Sequence, residues 1–131
     1  MNEQAQQTTR TIKVPGPDHP IDIAPNPSRV VVTLGGRIVA DSTHSLTLRE
    51  ANYPPVHYIP RSDVDMALLT RSAHTTYCPY KGECNYFSIV ADGKHVENAV
   101  WTYESPYSAV AEIKDHLAFY PDRVDSIQEM A

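Results

Sequence analysis

The sequence is poor in cysteine, glycine and tryptophan and has no long apolar run. Its 131 residues include 2 cysteines, 5 glycines and 1 tryptophan. Two cysteines are too few for a disulfide-rich secreted scaffold. No apolar run approaches the roughly 18 residues of a transmembrane helix, and the polar first residues lack the apolar segment of a signal peptide. We therefore expect a cytoplasmic protein with reduced thiols and no membrane partner.

Positive charge is also scarce. The chain has 11 lysines and arginines against 16 acidic residues, for a net charge of −5. Nucleic-acid binding requires a basic face, so nucleic acid is not expected as a partner. A glycine-rich phosphate loop and closely paired aspartates for magnesium are lacking as well. A small anionic ligand held by a few local cations remains compatible with this composition.

Proline and tyrosine, in contrast, are plentiful, with 11 prolines and with 8 tyrosines against 2 phenylalanines. Prolines at 15, 17, 20, 25 and 27 predict an irregular N-terminal arm over residues 1–28. Residues 29–131 then form a single β-rich domain. Ile21 and Ile23 could anchor the arm across the domain or against another subunit, which leaves a homo-oligomer open. Buried phenols need polar partners, so the tyrosines favour a cavity with both aromatic and polar walls.

Alternating segments separated by short turns predict the fold class. Gly35-Gly36 and Asp92-Gly93 are typical hairpin turns. Two short helices are predicted over residues 63–69 and 105–116, and a closing β pair over 117–120 and 123–127. We therefore expect a mainly β (α+β) fold, a compact antiparallel β-rich domain of two packed sheets. On the strand predicted over 43–50, Glu50 shares a face with two leucines, so it either lies at the solvated end of that strand or faces a cavity. The general exposure of glutamate favours the solvated end.

Three segments carry side chains that could take part in binding or catalysis. In the loop that contains Cys78, the nearby cation Lys81 could stabilise a thiolate, although free cysteine is also commonly a buried apolar residue. Arg61, close to Tyr58 and to a predicted helix start, could bind phosphate or carboxylate, or could pair with Asp63 or Asp65.

The third segment is the strand that ends near Glu104. Alternation places Trp101 and Tyr103 on one face and Glu104 on the other. Trp101 could form the floor of a pocket or simply fill the core. Glu104 could act as an acid or base, or interact mainly with the dipole of the helix that follows.

A metal ion could be held by His74, Cys78 and Cys84, with His57 or His95 as a distant fourth ligand. Structural zinc sites use four ligands, usually with paired cysteines or histidines. The sequence has no Cys-x-x-Cys pair and no paired-histidine motif. We therefore predict no metal and no cofactor.

Six motifs together resemble the family of domains of unknown function numbered 427, which is sometimes given a nucleotidyltransferase-like label. The similarity spans about residues 15–127 and rests on residues 29–32 (RVVV), 38–42 (IVADS), 58–64 (YIPRSDV), 78–82 (CPYKG), 98–106 (NAVWTYESP) and 119–121 (FYP). The resemblance implies a β-tent or Mss-four-like fold of two antiparallel sheets. Proteins with that architecture often hold zinc between two Cys-x-x-Cys pairs, and they include methionine sulfoxide reductases. Many relatives have a small residue directly after Cys-Pro-x-Lys-Gly, a position at which this chain has Glu83.

The leading functional hypothesis is a domain that binds a small molecule in one pocket, where Arg61 and Lys81 could hold an anionic group of the ligand. Its predicted ligand-binding residues are Tyr58, Arg61, Lys81, Trp101 and Tyr103, and its candidate catalytic residues are Cys78 as nucleophile and Glu104 as acid or base. Two alternatives stay open, a non-catalytic structural or self-association module and a thiol-dependent enzyme that uses Cys78. The sequence leaves undecided whether any reaction is catalysed.

Overall fold

A computed structural model describes residues 10–131, so the first nine residues of the predicted arm lie outside the described residues. Ten strands account for most of the described chain. They are β1 (Ile21–Pro25), β2 (Arg29–Leu34), β3 (Arg37–Ser42), β4 (Leu46–Glu50), β5 (Val56–Pro60), β6 (Leu69–Cys78), β7 (Gly82–Ala91), β8 (Lys94–Thr102), β9 (His116–Phe119) and β10 (Ser126–Met130).

The strands form two antiparallel sheets. The larger has seven strands in the order β1-β4-β5-β9-β8-β7-β6, and the smaller has three in the order β10-β2-β3. The predicted turns at Gly35-Gly36 and Asp92-Gly93 connect β2 to β3 and β7 to β8. The predicted mainly β, antiparallel two-sheet fold class is confirmed.

Strand alternation gives the seven-stranded sheet two different faces. On β7, Phe87 and Ile89 point to one face, while Cys84 and Tyr86 point to the other. The first face packs against the three-stranded sheet and forms an aliphatic core with Val30, Val32, Leu34, Val39, Ile59, Val100, Leu117 and Phe119. The second face forms a separate core rich in tyrosine, which contains Tyr58, Tyr103, Val110 and Ile113.

The proline-rich arm contains a strand that the sequence did not predict. β1 pairs with β4, so that Ile21 lies opposite Glu50 and Ile23 opposite Leu48. Both isoleucines pack against the tyrosine-rich core. The last part of the arm is therefore an edge strand of the larger sheet.

The helical segments are shorter than predicted. Over the described residues every helix is of the 3-10 type, namely Arg61–Asp63, Met66–Leu68, Ser108–Ile113 and Pro121–Arg123. The predicted helix over 63–69 is interrupted where Val64 makes a β bridge with Ala40. Neither Arg61–Asp63 nor Met66–Leu68 has a side-chain capping hydrogen bond. This tertiary bridge buries Val64 against the first core, which one helical turn on the surface would not do.

The predicted pairing of residues 117–120 with 123–127 is wrong. β9 pairs with β5 and β8 in the larger sheet, whereas β10 pairs with β2 in the smaller one. The 3-10 turn Pro121–Arg123 directs the chain from one sheet to the other. β9 buries apolar side chains from the larger sheet and β10 from the smaller one. This arrangement buries more apolar surface than an isolated hairpin of the two strands would.

Candidate functional site

A cavity of about 430 Å³ opens on the tyrosine-rich face of the seven-stranded sheet. Alternate residues of β4, β5, β7 and β8 form its floor, because side chains at every second position of a strand share a face. Its aromatic walls are Tyr53, Tyr58, Tyr86, Trp101, Tyr103 and Tyr120. Leu48, Cys84, Glu50 and Lys81 also line it. The cavity is within the usual size range of small-molecule pockets, roughly 300–1,000 Å³.

Lys81 reaches the cavity from the loop between β6 and β7. The Lys81 amide donates to the Cys78 carbonyl over 3.2 Å, and the Tyr107 amide donates to the Lys81 carbonyl over 3.1 Å. The next residue, Gly82, has a φ of +109°, and a Cβ there would lie 3.4 Å from the Ser105 carbonyl oxygen. This tight loop requires glycine and directs the lysine side chain inward.

The Lys81 ammonium forms a nearly buried ion pair with Glu50. Lys81 Nζ lies 2.5 Å from Glu50 Oε1, and the two side chains are 9% and 13% exposed. His19 Nε2, from the arm, lies 2.6 Å from the other carboxylate oxygen. Burial alone would raise the pKa of Glu50, but the hydrogen bonds and charges of Lys81 and His19 outweigh it, so the pKa is lowered. Glu50 is therefore ionised at neutral pH.

The arm is held against this ion pair by aromatic stacking. The His19 ring stacks on Tyr80 with centroids 4.0 Å apart and planes 5° apart. The Lys13 amide also donates to the Pro79 carbonyl over 3.0 Å. The loop between β6 and β7 and the arm thus form one wall beside the cavity.

Phenol and indole groups supply the other polar atoms of the cavity. Trp101 Nε1 donates to the Tyr58 hydroxyl over 3.1 Å, and the Tyr86 hydroxyl shares a 2.9 Å hydrogen bond with Thr76 Oγ1. Burial raises the pKa of the Tyr58, Tyr86 and Tyr103 phenols. All three therefore remain neutral hydroxyls that can donate as well as accept hydrogen bonds.

Cys84 is the cysteine that lines the cavity. Its residue is 1% exposed, and burial raises the pKa of its thiol. Hydrogen bonds from the hydroxyls of Tyr86, Thr76 and Tyr103 act in the opposite direction but do not reverse the shift. Since the thiolate is the reactive form, this environment does not activate Cys84 as a nucleophile.

Cys78 does not line the cavity. Its side chain is half-buried and packs against the edge of the tyrosine-rich core. The lysine that was expected to stabilise its thiolate has its ammonium 2.5 Å from the carboxylate of Glu50. The arrangement thus pairs Lys81 with a carboxylate, in place of the predicted pairing of Lys81 with sulfur.

Arg61 and Glu104 lie apart from the cavity, in a surface cluster that we call the arginine patch (Arg61, Arg71 and Glu104). Arg71 Nη2 is 2.5 Å from Glu104 Oε2, and Arg61 Nη1 is 3.9 Å from the same oxygen. Both guanidinium groups lie over the ring of Phe87, 5.6 Å away for Arg61 and 5.1 Å for Arg71. Phe87 belongs to the first core, so the patch borders the opposite face of the sheet.

Of the seven predicted site residues, the structure brings four together. Tyr58, Lys81, Trp101 and Tyr103 line the cavity. The predicted convergence of Arg61 and Glu104 on the same pocket is wrong, because they occupy the arginine patch. The alternative pairing of Arg61 with Asp63 or Asp65 is not formed among the described residues either. Arg61 Nη1 lies 3.9 Å from Glu104 Oε2, and Asp63 accepts a 2.6 Å hydrogen bond from Ser42.

Of the lining residues that carry a polar side-chain atom or a thiol, sequence reasoning missed five, namely Glu50, Tyr53, Cys84, Tyr86 and Tyr120. Glu50 had a usable signal, since it was expected on one face with two leucines and was assigned to solvent only on general exposure. Cys84 and Tyr86 had a second signal, because their spacing of two places them on one face of a strand. Tyr53 closes the turn after β4, and Tyr120 precedes the 3-10 turn Pro121–Arg123, so strand alternation carries no information at either position.

Two further features of the described chain bear on ligand chemistry. Within residues 10–131, no three His, Cys, Asp or Glu side chains come close enough to share a metal ion, so His74, Cys78 and Cys84 form no such group. None of the helices in this part of the chain is long and apolar enough to cross a membrane.

The fold and the cavity define a small antiparallel two-sheet domain with an aromatic pocket on its larger sheet. A family model described as a domain of unknown function (DUF427) matches residues 22–130. The chain belongs to this family. This match confirms the predicted resemblance to the family. No curated protein matches the chain.

Proposed function

We propose that this domain binds a small, flat molecule with a polar edge in the tyrosine-lined cavity. The observation that carries the proposal is a cavity of about 430 Å³ walled by five tyrosines and the single tryptophan, with an ion pair inside it. Aromatic walls favour planar apolar groups through stacking and edge contacts. The phenol hydroxyls supply hydrogen-bond partners that fix the orientation of a ligand.

The charge of the cavity favours a ligand without net charge. Glu50 neutralises Lys81 at 2.5 Å, so the described residues that line the cavity offer no free cation to an anion. Arg61, the other cation predicted to hold an anionic group, belongs to the arginine patch. An anionic ligand would have to displace Glu50 and leave its carboxylate nearly buried, which is costly. A hydroxyl group, in contrast, can interact with the existing polar groups.

Binding without catalysis agrees best with the thiol chemistry of the site. Burial raises the pKa of Cys84, and Cys78 does not line the cavity. Both cysteines are free, which suits a reducing, cytoplasmic setting. The alternative of a thiol-dependent enzyme lacks an activated nucleophile in the cavity.

The test is a titration with 4-methylphenol, whose ring and hydroxyl match the cavity. Because Trp101 is the only tryptophan, its indole N–H gives one isolated signal in a 1H–15N NMR spectrum of the labelled protein. We expect this signal to shift and saturate as the Trp101–Tyr58 contact responds to the ligand.

Two matched variants locate the binding site. Tyr120→Ala removes a ring that packs 4.5 Å from Trp101, and we expect binding to weaken by about fivefold or more. Tyr107→Ala removes a half-buried tyrosine that hydrogen-bonds to Tyr77 outside the cavity, and affinity should change less than about twofold. No saturable shift, or equal losses in both variants, would contradict the proposal.

A further inference from the structure

A second, smaller cavity of about 240 Å³ lies beside the first. Four residues line it but not the larger cavity, namely His57, Ile59, Phe119 and Ile127. Ile59 and Phe119 belong to the aliphatic core between the two sheets, and Ile127 packs against that core from β10. Apart from His57 and Trp101, only apolar side chains line this space. It is therefore a site for an aliphatic group and not for a polar one.

The two cavities share a boundary. Pro55, Val56, Trp101 and Pro121 line both of them. The cavities thus adjoin at the only tryptophan, although their other walls belong to opposite faces of the seven-stranded sheet.

The short pairing of β5 with β9 explains how cavities on the two faces of the sheet can adjoin. β5 and β9 pair only through Ile59 with Leu117 and Pro60 with His116. Beyond this short ladder the two strands do not pair, and the residues that follow become cavity walls. Phe119 lines the smaller cavity and Tyr120 the larger one. The edge of the ladder is therefore the place where both cavities open beside Trp101.

The walls on the two sides of this boundary differ in chemistry. The larger cavity presents tyrosine hydroxyls and the ion pair of Glu50 and Lys81, whereas the smaller one presents almost only hydrocarbon. A ligand that filled both would need a polar, ring-shaped part and an aliphatic part. A uniformly polar molecule would leave the second cavity unfilled, and a simple hydrocarbon would leave the polar groups of the first without partners.

We infer that the ligand class is amphipathic, a hydroxylated aromatic head with a short aliphatic chain, the head in the larger cavity and the chain in the smaller. This inference rests on the proposed function, because it assumes that the larger cavity binds a ring. The chain contributes through burial of apolar surface, at about 0.8 kcal/mol for each fully buried methylene, or about fourfold in affinity.

The test is a series of para-substituted phenols with methyl, propyl, pentyl and heptyl chains, titrated into the full chain and followed by the Trp101 indole signal. We expect each added methylene to tighten binding about two- to fourfold until the smaller cavity is full, after which affinity levels off. Affinity independent of chain length, with 4-methylphenol still bound, would overturn this inference and leave the proposed function standing. Failure of every phenol to bind would overturn both.

A pair of variants on β10 separates the smaller cavity from unspecific apolar attraction. Ile127→Phe adds volume within the cavity, whereas Gln128→Phe adds the same ring at an exposed neighbouring position. Ile127→Phe should abolish the chain-length gain while 4-methylphenol binds within about twofold of the unchanged protein. Gln128→Phe should retain the gain. Thermal unfolding confirms that each variant is folded, and a gain that persists in Ile127→Phe would contradict the inference.

Discussion

The two faces of the seven-stranded sheet are built from alternate residues of the same strands, yet over residues 10–131 a tyrosine-lined cavity lies on one face and not on the other. On the first face, branched and aromatic apolar side chains pack beneath the three-stranded sheet, with the smaller cavity at the margin of this core. On the second face, tyrosines, Trp101 and an ion pair surround a larger open space. Apolar side chains can pack together without leaving a polar atom unpaired. Buried phenol and indole groups each need a hydrogen-bond partner, so the second face must also supply polar atoms.

The same comparison separates two groups of ion pairs among the described residues. The pair of Glu50 and Lys81 is nearly buried within the second face, whereas the arginine patch is 31% to 50% exposed beside the first. Solvent screens the exposed cluster, so its contribution to stability is small. A buried charge that loses its partner has no such compensation. Equal short distances in the two clusters therefore correspond to unequal energies.

The largest expected effect follows from breaking the buried pair. Glu50→Gln removes the carboxylate charge and leaves the Lys81 ammonium buried, so the free energy of unfolding should fall by about 3 kcal/mol at pH 7. The measurement is urea unfolding followed by far-UV circular dichroism.

Glu104→Gln in the arginine patch is the matched control, and it should cost less than about 1 kcal/mol. The double variant Glu50→Gln with Lys81→Met removes both charges and should recover part of the lost stability. Equal losses in Glu50→Gln and Glu104→Gln would show that burial does not distinguish the two clusters.

A second effect distinguishes the interior of the cavity from its surroundings. In a Cys78→Ser variant, the remaining thiol of Cys84 should react with iodoacetamide about a hundredfold more slowly than in urea, because burial both shields it and raises its pKa. The rate is measured by mass spectrometry.

The half-buried Cys78, tested in a Cys84→Ala variant, should react faster than Cys84. Reaction of Cys84 at the rate of the denatured chain would mean that the second face is open to solvent to its floor.

The smallest effect concerns pH. The pKa of Glu50 is lowered below its ordinary value of 4.5 in the folded protein. Its ionisation therefore stabilises the fold above that value, and this stabilisation is lost as pH falls through the folded pKa. We expect the free energy of unfolding to decline on acidification below about pH 5, and to decline less in Glu50→Gln. An identical decline in both proteins would contradict the lowered pKa.

Much of the fold followed from local pattern. The Gly35-Gly36 and Asp92-Gly93 hairpins were predictable because those residue pairs adopt the positive φ that tight turns require. The short helices were not, since one turn of helix depends on tertiary contacts such as the bridge between Val64 and Ala40. The sequence also did not predict that β10 joins the smaller sheet, because two strands that are consecutive in the chain can pair with each other or belong to different sheets.

The candidate site was half predictable for a similar reason. Alternation placed Trp101 and Tyr103 on one face and Glu104 on the other, and the structure agrees. Grouping Glu104 with the pocket ignored that alternation. The average exposure of glutamate predicted a solvated Glu50, whereas the two leucines on the same face of the strand indicated that its side chain points into the protein.

By itself, the sequence determined the antiparallel β class, the main hairpins and the excess of tyrosine, because strand alternation and turn geometry act over only a few residues. Only the tertiary structure decided that Lys81 and His19 meet at Glu50, and that Arg61 lies beyond the sheet from Trp101. These arrangements join residues far apart in the chain, and each depends on partners that only the folded chain brings together. No local pattern carries that information.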